Sequence, residues 1–200
     1  MKRGFAIAMA LGMAASTQVL AQQPNSNTNL SWNYVSAGVF TGEIGDLDFT
    51  GLGLGGSLAL NDQIYMQGGY STAESDDSFG VGNARDDIDL DTWRLGLGFH
   101  TPVNQTTDGF VSLSYVDNDV NFAGFSEDGS GNILEAGLRG RNSQELEWNA
   151  SIFRSDIEDN DEIGLQVGAR YFLQPNTSLG LNYQTADDTD LLALDLRLDL

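Results

Sequence analysis

Leu192, Leu194, Leu196, Leu198 and Leu200 fall on one parity of the C-terminal stretch, and Ala193, Asp195, Arg197 and Asp199 on the other. A period of two is the period of a β-strand, whose successive side chains point to opposite faces; a helix would scatter the same leucines around its circumference. The pattern recurs along the chain. In 162–172, Ile163, Leu165, Val167, Ala169 and Tyr171 oppose Glu162, Gly164, Gln166, Gly168 and Arg170. In 92–100, Trp93, Leu95, Leu97 and Phe99 oppose Thr92, Arg94, Gly96, Gly98 and His100. In 51–60, Leu52, Leu54, Leu58 and Leu60 oppose Gly51, Gly53, Gly55 and Ser57. Further strands are expected near 64–73, 108–117, 132–141, 146–155 and 178–185. A strand near 31–40 is expected too, with Trp32/Tyr34 and Val35/Val39 competing for its apolar face.

The spacing predicts an all-β chain of ten strands, with eight as the alternative, closed into an antiparallel up-and-down transmembrane barrel. Short connections are expected at Asn61–Gln63, Pro102–Thr107, Asn142–Glu145 and Leu173–Thr177. Longer ones are expected at Thr41–Thr50, Glu74–Asp87 and Asn118–Gly131, and shorter acidic ones at Asp156–Asp161 and Ala186–Asp190. Short turns on one rim and longer loops on the other is the pattern of outer-membrane barrels, with both termini on the short-turn, periplasmic side. No segment repeats at a fixed sequence period.

A soluble sandwich with the same alternation would hide its apolar row and wet the other. Here the non-apolar row combines glycine with charge: Arg94, Glu135, Arg139, Arg141, Glu147, Arg170, Asp195 and Arg197. Small and charged residues in one row suit a narrow polar lumen, and leucine suits lipid. Aromatics mark both ends of the apolar rows: Tyr70, Trp93, Tyr115 and Tyr183 towards the long loops, and Phe99, Trp148 and Tyr171 towards the short turns. That gives two interfacial girdles and places the chain in the cell outer membrane. A soluble acidic sandwich is the competing fold.

The N-terminus fits this destination. Lys2 and Arg3 precede a run of roughly 11 apolar residues and the small-residue end Val19-Leu20-Ala21, the three parts of a signal peptide expected over 1–21. The run falls short of the roughly 20 residues of a membrane-spanning helix. Residues 22–29 are then expected as a short N-terminal periplasmic segment, and 30–200 as the barrel. The chain has no cysteine, which excludes thiol chemistry and Cys-ligated metals. Its formal charge is −20, and Lys2 is its only lysine. Nucleic acid is therefore excluded as a partner, because such binding needs basic surface to displace counterions.

Other motifs carry less. Gly51-Leu52-Gly53-Leu54-Gly55-Gly56 matches a dinucleotide fingerprint, but the period of two runs straight through it and no helix follows. Its glycines are expected to let the wall bend or a bulky neighbour approach. Asp87, Asp89 and Asp91, and the cluster Asp156, Glu158, Asp159, Asp161 and Glu162, lack the glycine and distal glutamate of an EF-hand. They read as solvated tips, with weak divalent-cation binding at the lipopolysaccharide surface as the sharper alternative. His100, the single histidine, falls in a short turn, and Asp87 and Asp89 lie at the far end of its strand. It reads as a lumen or interface residue, and an omptin-like enzyme is disfavoured. No catalytic residue, metal or cofactor is expected.

Leu30-Ser31-Trp32-Asn33-Tyr34-Val35, the glycine-rich Gly53–Leu60 strand and Gln67-Gly68-Gly69-Tyr70-Ser71 resemble a family of small outer-membrane β-barrel proteins described as regulated by a diffusible signal factor. The resemblance covers the first half of the mature chain, and the rest by pattern. It implies an outer-membrane barrel with no established chemistry, so no functional residue carries over. Barrels of this kind usually end in an aromatic residue read by the barrel assembly machinery, an expected partner, whereas this sequence ends in Leu200.

Two function classes follow: a largely plugged, non-enzymatic structural or surface-interaction scaffold presenting acidic extracellular loops, or a small cation-preferring pore for ions or small solutes. Ten strands lie near the filled end of the barrel series. A register sum of 288 around Asn142–Glu145 sets Arg141 opposite Glu147 inside, and Gly140 opposite Trp148 outside. The lumen charges are then expected to close the periplasmic half, and replacing Arg139, Arg170 and Arg197 with alanine to open it.

Overall fold

The computed structural model describes residues 28–45, 47–75, 88–122, 125–158 and 160–200. Ten strands form: β1 (Tyr34–Ile44), β2 (Leu47–Ala59), β3 (Ile64–Ser75), β4 (Asp89–Asn104), β5 (Thr107–Phe122), β6 (Phe125–Arg141), β7 (Leu146–Ile157), β8 (Asn160–Gln174), β9 (Thr177–Ala186) and β10 (Thr189–Asp199). Each pairs antiparallel with its sequence neighbours, and β1 pairs with β10 to close the barrel. Closure leaves no edge strand, the condition for a sheet to span lipid. No helix among the described residues is long and apolar enough to cross a membrane. An even strand number puts both termini on one rim, with the turns at 60–63, 105–106, 142–145 and 175–176. That rim is the terminus rim below, and the opposite one the hairpin rim.

The leucine rows face outward: Leu95, Leu97, Leu113, Leu165, Leu181 and Leu194 are all exposed. In β1 the competition between aromatic and valine faces resolves by register. Val35 and Val39 take the outer parity, and Tyr34, Ser36 and Phe40 the inner. The strand begins at Tyr34 and runs on to Ile44, later at both ends than the sequence pattern placed it. Residues before it turn inward; Thr28 and Leu30 are buried in the barrel mouth instead of leading away from it.

The glycines of the inner row have a specific partner. Phe40 faces Gly51, Tyr65 faces Gly98, Phe110 faces Gly137 and Phe153 faces Gly164, each as direct cross-strand neighbours. A Cβ at any of these glycines would fall within 3 Å of the facing ring. The ring lies flat over the missing side chain, which lets large aromatics point into a narrow lumen. Gly140 and Trp148 make the same pair on the outer face. Gly51 thus serves a strand, and the dinucleotide-like motif lies wholly inside β2.

The long loops expected at Thr41–Thr50 and Asn118–Gly131 are strand. β1 and β2 pair as far as Ile44 and Leu47, and β5 and β6 as far as Phe122 and Phe125. Asp156–Asp161 and Ala186–Asp190 likewise reduce to two-residue connections. Gly45, Glu158 and Asp187, at the first position of three such turns, take positive φ, as tight hairpins of matching twist require. Polar composition read as loop is here hairpin standing in water, where period 2 has no apolar face to display it. Of Glu74–Asp87, residues 74 and 75 belong to β3 and 76–87 lie outside the described residues, as do the signal-peptide segment and residues 22–27. On the terminus rim, bulges at Pro102/Asn104 and Phe172/Gln174 shorten the expected turns.

Candidate functional site: the lumen

Among the described residues five arginines point inward, and four of them pair with acids. Glu147 accepts from Arg139 Nε at 2.9 Å and from Arg197 Nη1 at 2.8 Å. Arg197 also binds Asp199 at 2.7 Å. Arg170 holds both oxygens of Asp195, at 2.9 and 2.7 Å, and Asn182 donates to that carboxylate at 3.0 Å. Arg94 meets Glu135 at 3.4 Å, and Ser151 donates to Glu135 at 2.8 Å. Glu147, Asp195, Arg139 and Arg197 are all buried. Buried charges persist only when paired and hydrogen-bonded, and each of these is.

Arg141 departs from the expected pairing. It is the cross-strand neighbour of Glu147, but its side chain donates to the Gln144 carbonyl at 2.6 Å and lies 3.6 Å from the Phe172 ring centroid. Arg139, two residues along on the same face, and Arg197 from β10 occupy Glu147 instead. Backbone register fixed the neighbour; the reach of long side chains across a closed lumen fixed the partner.

Charged pairs are one of three groups of side chains in the lumen. Towards the hairpin rim the lumen holds two apolar clusters beside the buried Thr92, Asn118 and Ser155. Phe40, Phe49, Ala73, Leu90, Leu191 and Ala193 pack as one buried cluster, and Val116, Ile133, Phe153, Ile157 and Ala186 as a second. Sequence reading missed this layer because these residues share the inner parity with charges and serines, so each strand shows an apolar inner end beneath an apolar outer row. Removal of Arg139, Arg170 and Arg197 would leave Phe40, Phe49 and Phe153 in place in that half of the lumen.

Towards the terminus rim, the chain before β1 folds into the mouth. Trp32 is 7% exposed and stacks on His100 at 4.5 Å between centroids, with Tyr65 at 4.4 Å and Phe110 at 5.9 Å. Its Nε1–H donates to Asp108 Oδ2 at 3.0 Å. His100 Nδ1 lies 3.1 Å from the same oxygen. His100 is thus a lumen residue with an acidic partner across the β4–β5 turn, which the search for acids along its own strand missed. Between the layers remains a polar chamber of about 220 Å³, lined by the ion pairs and by Gln67, Asn149, Gln166 and Gln184.

A family model described as an outer membrane protein beta-barrel domain matches residues 5–197. The chain belongs to that family. It is an outer-membrane protein. Among solved structures, it is similar in fold to the KdgM porin in complex with disordered oligogalacturonate, at TM-score 0.51 and 10% identity over 84% of this chain and 99% of that one. The N-terminal β-barrel domain of Pseudomonas aeruginosa OprF matches at TM-score 0.43 and 13% identity, over 84% of this chain and 100% of that one. Neisserial surface protein A matches at 0.44 and 13%, over 85% and 98%. No curated protein matches the chain.

On the outer wall of the barrel, Tyr70, Trp93, Tyr115 and Tyr183 stand exposed towards the hairpin rim, and Phe99 and Tyr171 towards the terminus rim. Trp148 also lies towards the terminus rim, half-buried over Gly140. Trp93 packs on Tyr115 at 5.4 Å. The phenols of Tyr70, Tyr115 and Tyr183 donate to Asp91, Asp117 and Asp190, at 2.7, 3.3 and 2.6 Å. Each tyrosine thus has its ring on the apolar band and its hydroxyl on the first acid beyond it.

Beyond that girdle, acids face acids. Asp190, Glu43 and Asp48 are successive cross-strand neighbours, as are Asp91, Asp119 and Asp128. Arg154, the outward arginine of the described wall, is held by Asp161 at 2.8 Å. Among the described residues no three acids converge as a metal site, and Asp87 lies outside them. Like charges directly opposite oppose pairing. The Asp119 carboxyl is held above its ordinary range, chiefly by its hydrogen bond to Asp128, with burial and then the Asp128 charge adding to it. An acid whose folded pKa is raised favours the paired hairpin below its unfolded pKa and loses that contribution as pH rises through the folded value. Amide exchange at 117–130 should therefore accelerate as pH rises just above the usual aspartate range, after correction for intrinsic exchange. Asp128→Asn should weaken that pH dependence, since Asp128 supplies the largest of its causes; an unchanged profile would refute the coupling.

Proposed function

We propose that this protein is a non-enzymatic, largely plugged outer-membrane scaffold that presents an acidic surface to the cell exterior. The observation that carries the reading is the double closure of the lumen, by Trp32 and its ring neighbours at one end and by the two apolar clusters at the other. The hairpin rim faces outward in this reading, because its acid-rich strands stand beyond the aromatic girdle, and the terminus rim faces the periplasm. The mature chain starts after a signal peptide over 1–21 and has membrane lipid and lipopolysaccharide around its wall. The barrel assembly machinery receives its last strand. Divalent cations bind weakly at the outer acids, where they bridge opposed carboxylates to lipopolysaccharide phosphates and relieve the like-charge register.

Planar-bilayer recording tests the closure. The refolded protein should show at most small, intermittent currents, and these should favour cations because the acidic rim lowers the potential at that mouth. Replacing Arg139, Arg170 and Arg197 together with alanine should leave the barrel closed. A steady open-channel conductance in the unmodified protein would overturn the scaffold and establish the second reading, a small cation-preferring pore for which the polar chamber would be the path.

A further inference from the structure

The polar chamber of about 220 Å³ has an uneven hydrogen-bond balance. Arg94, Arg139, Arg170 and Arg197 line it, against Glu135, Glu147 and Asp195. Asp199 meets Arg197 from the side of the mouth.

The chamber's acids are fully used. Glu135 accepts from Arg94 on one oxygen and from Ser151 on the other. Glu147 accepts from Arg139 and Arg197 on one and again from Arg197 on the other. Asp195 accepts from Arg170 on both, with Asn182 on one of them. Each oxygen of the three carboxylates thus has a donor.

The guanidinium groups are not fully used, although each carries five N–H donors. Arg94 Nε and Arg139 Nη2 are buried without a hydrogen-bond partner among the described residues. Arg94 reaches Glu135 only at 3.4 Å, the longest ion pair of the described lumen, and its cross-strand neighbour on β3 is Gly69, which takes no side-chain space. Arg139 is 6% exposed. The rings of Trp32 and Tyr34 lie 4.8 and 5.6 Å from its guanidinium carbon, and a ring face is a weak acceptor for an N–H. Cross-strand neighbours Gln166 and Gln184 add half-buried amides that can turn either group to the chamber.

The unmatched capacity of the chamber is therefore donor capacity borne by cations, and a buried donor without an acceptor is costly. A metal ion or an ammonium would find every carboxylate oxygen already shared. An oxyanion supplies what is missing, because guanidinium edges match carboxylate and phosphate oxygens. We infer that the chamber binds one small oxyanion, no larger than a short carboxylate, through Arg94 and Arg139. The site goes beyond the scaffold reading but rests on its closed lumen, since in a water-filled channel the same N–H groups would be hydrated.

Equilibrium dialysis with radiolabelled acetate tests the site. The whole chain is refolded in nonionic detergent with acetate present throughout, so that entry past Trp32 and the Arg197–Asp199 pair does not limit binding. About one acetate per barrel should be retained at saturation, and methylammonium at equal concentration should not displace it. Arg94→Gln should weaken binding about tenfold through loss of a charged hydrogen bond. Glu135→Gln, which removes the acid that competes for Arg94, should tighten it; a residue needed only for the fold would not give opposite signs. Arg154→Gln on the outer wall should leave binding unchanged. Absence of saturable retention, displacement by methylammonium, or no tightening in Glu135→Gln would each overturn the site. Should Arg94→Gln not fold, Glu135→Gln decides. A steady bilayer current with acetate still retained would refute the closed barrel and not the site; electrical silence without retention would refute the site and not the closed barrel.

Discussion

Replacing Glu147 with alanine should destabilise the barrel by about 3–5 kcal/mol, the cost of removing one member of a buried ion network and leaving its partners charged. Glu147 is the shared acceptor of Arg139 and Arg197, so one substitution removes an acid from two guanidinium groups in the lumen. Arg197 keeps Asp199, but Arg139 retains only the rings of Trp32 and Tyr34 beside it. Glu147→Gln, which keeps the shape and one acceptor oxygen, should cost less. Arg154→Ala serves as the comparison. Its pair with Asp161 is more than half exposed on the outer wall and should contribute under about 1 kcal/mol. Urea unfolding from lipid vesicles reads all three. A Glu147→Ala loss no larger than that of Arg154→Ala would show that water enters the lumen freely and screens the network, against the closed barrel.

The second large effect falls on a residue with no side chain. Gly98→Val should cost about 3 kcal/mol, because the Tyr65 ring occupies the space its side chain would need and is packed against Trp32. Gly129→Ala should be nearly neutral, since a Cβ there meets only ordinary contacts at 3.8 Å and beyond. The pairing makes a sharper test than either substitution alone. In a Tyr65→Ala background Gly98→Val should lose most of its penalty, so the double-mutant cycle should show a coupling of more than about 1 kcal/mol. Additive costs would mean that Gly98 matters for the backbone and not as the seat of the ring.

The outer wall was legible because lipid imposes one demand on every residue it touches. Leu192 to Leu200 keep a single parity over the whole strand, and the same parity predicts which side of Leu95, Leu165 and Leu181 faces out. The inner row is harder to read. A lumen sets no uniform rule, so Phe40, Gly53 and Asp195 all belong to it. Aromatic–glycine pairs are visible only once register places Phe153 against Gly164, and register depends on turn lengths that polar hairpin ends disguised. Where the turn was short and unambiguous, at Asn142–Glu145, the neighbour pair Gly140 and Trp148 follows from the sequence alone.

The amino-acid sequence by itself therefore determined the strand number, the antiparallel order, the face turned to lipid and the inward parity of the arginines. All of these follow from a period-2 pattern and local turns. The tertiary structure alone decided which acid each arginine meets, that two apolar clusters form in the hairpin half of the lumen, and that Trp32 leaves the strand pattern to sit on His100 and Asp108. Those contacts join residues such as Glu147 and Arg197, 50 positions apart, across a space that exists only after β1 meets β10. Local alternation carries no information about distances across a closed ring; closure creates them.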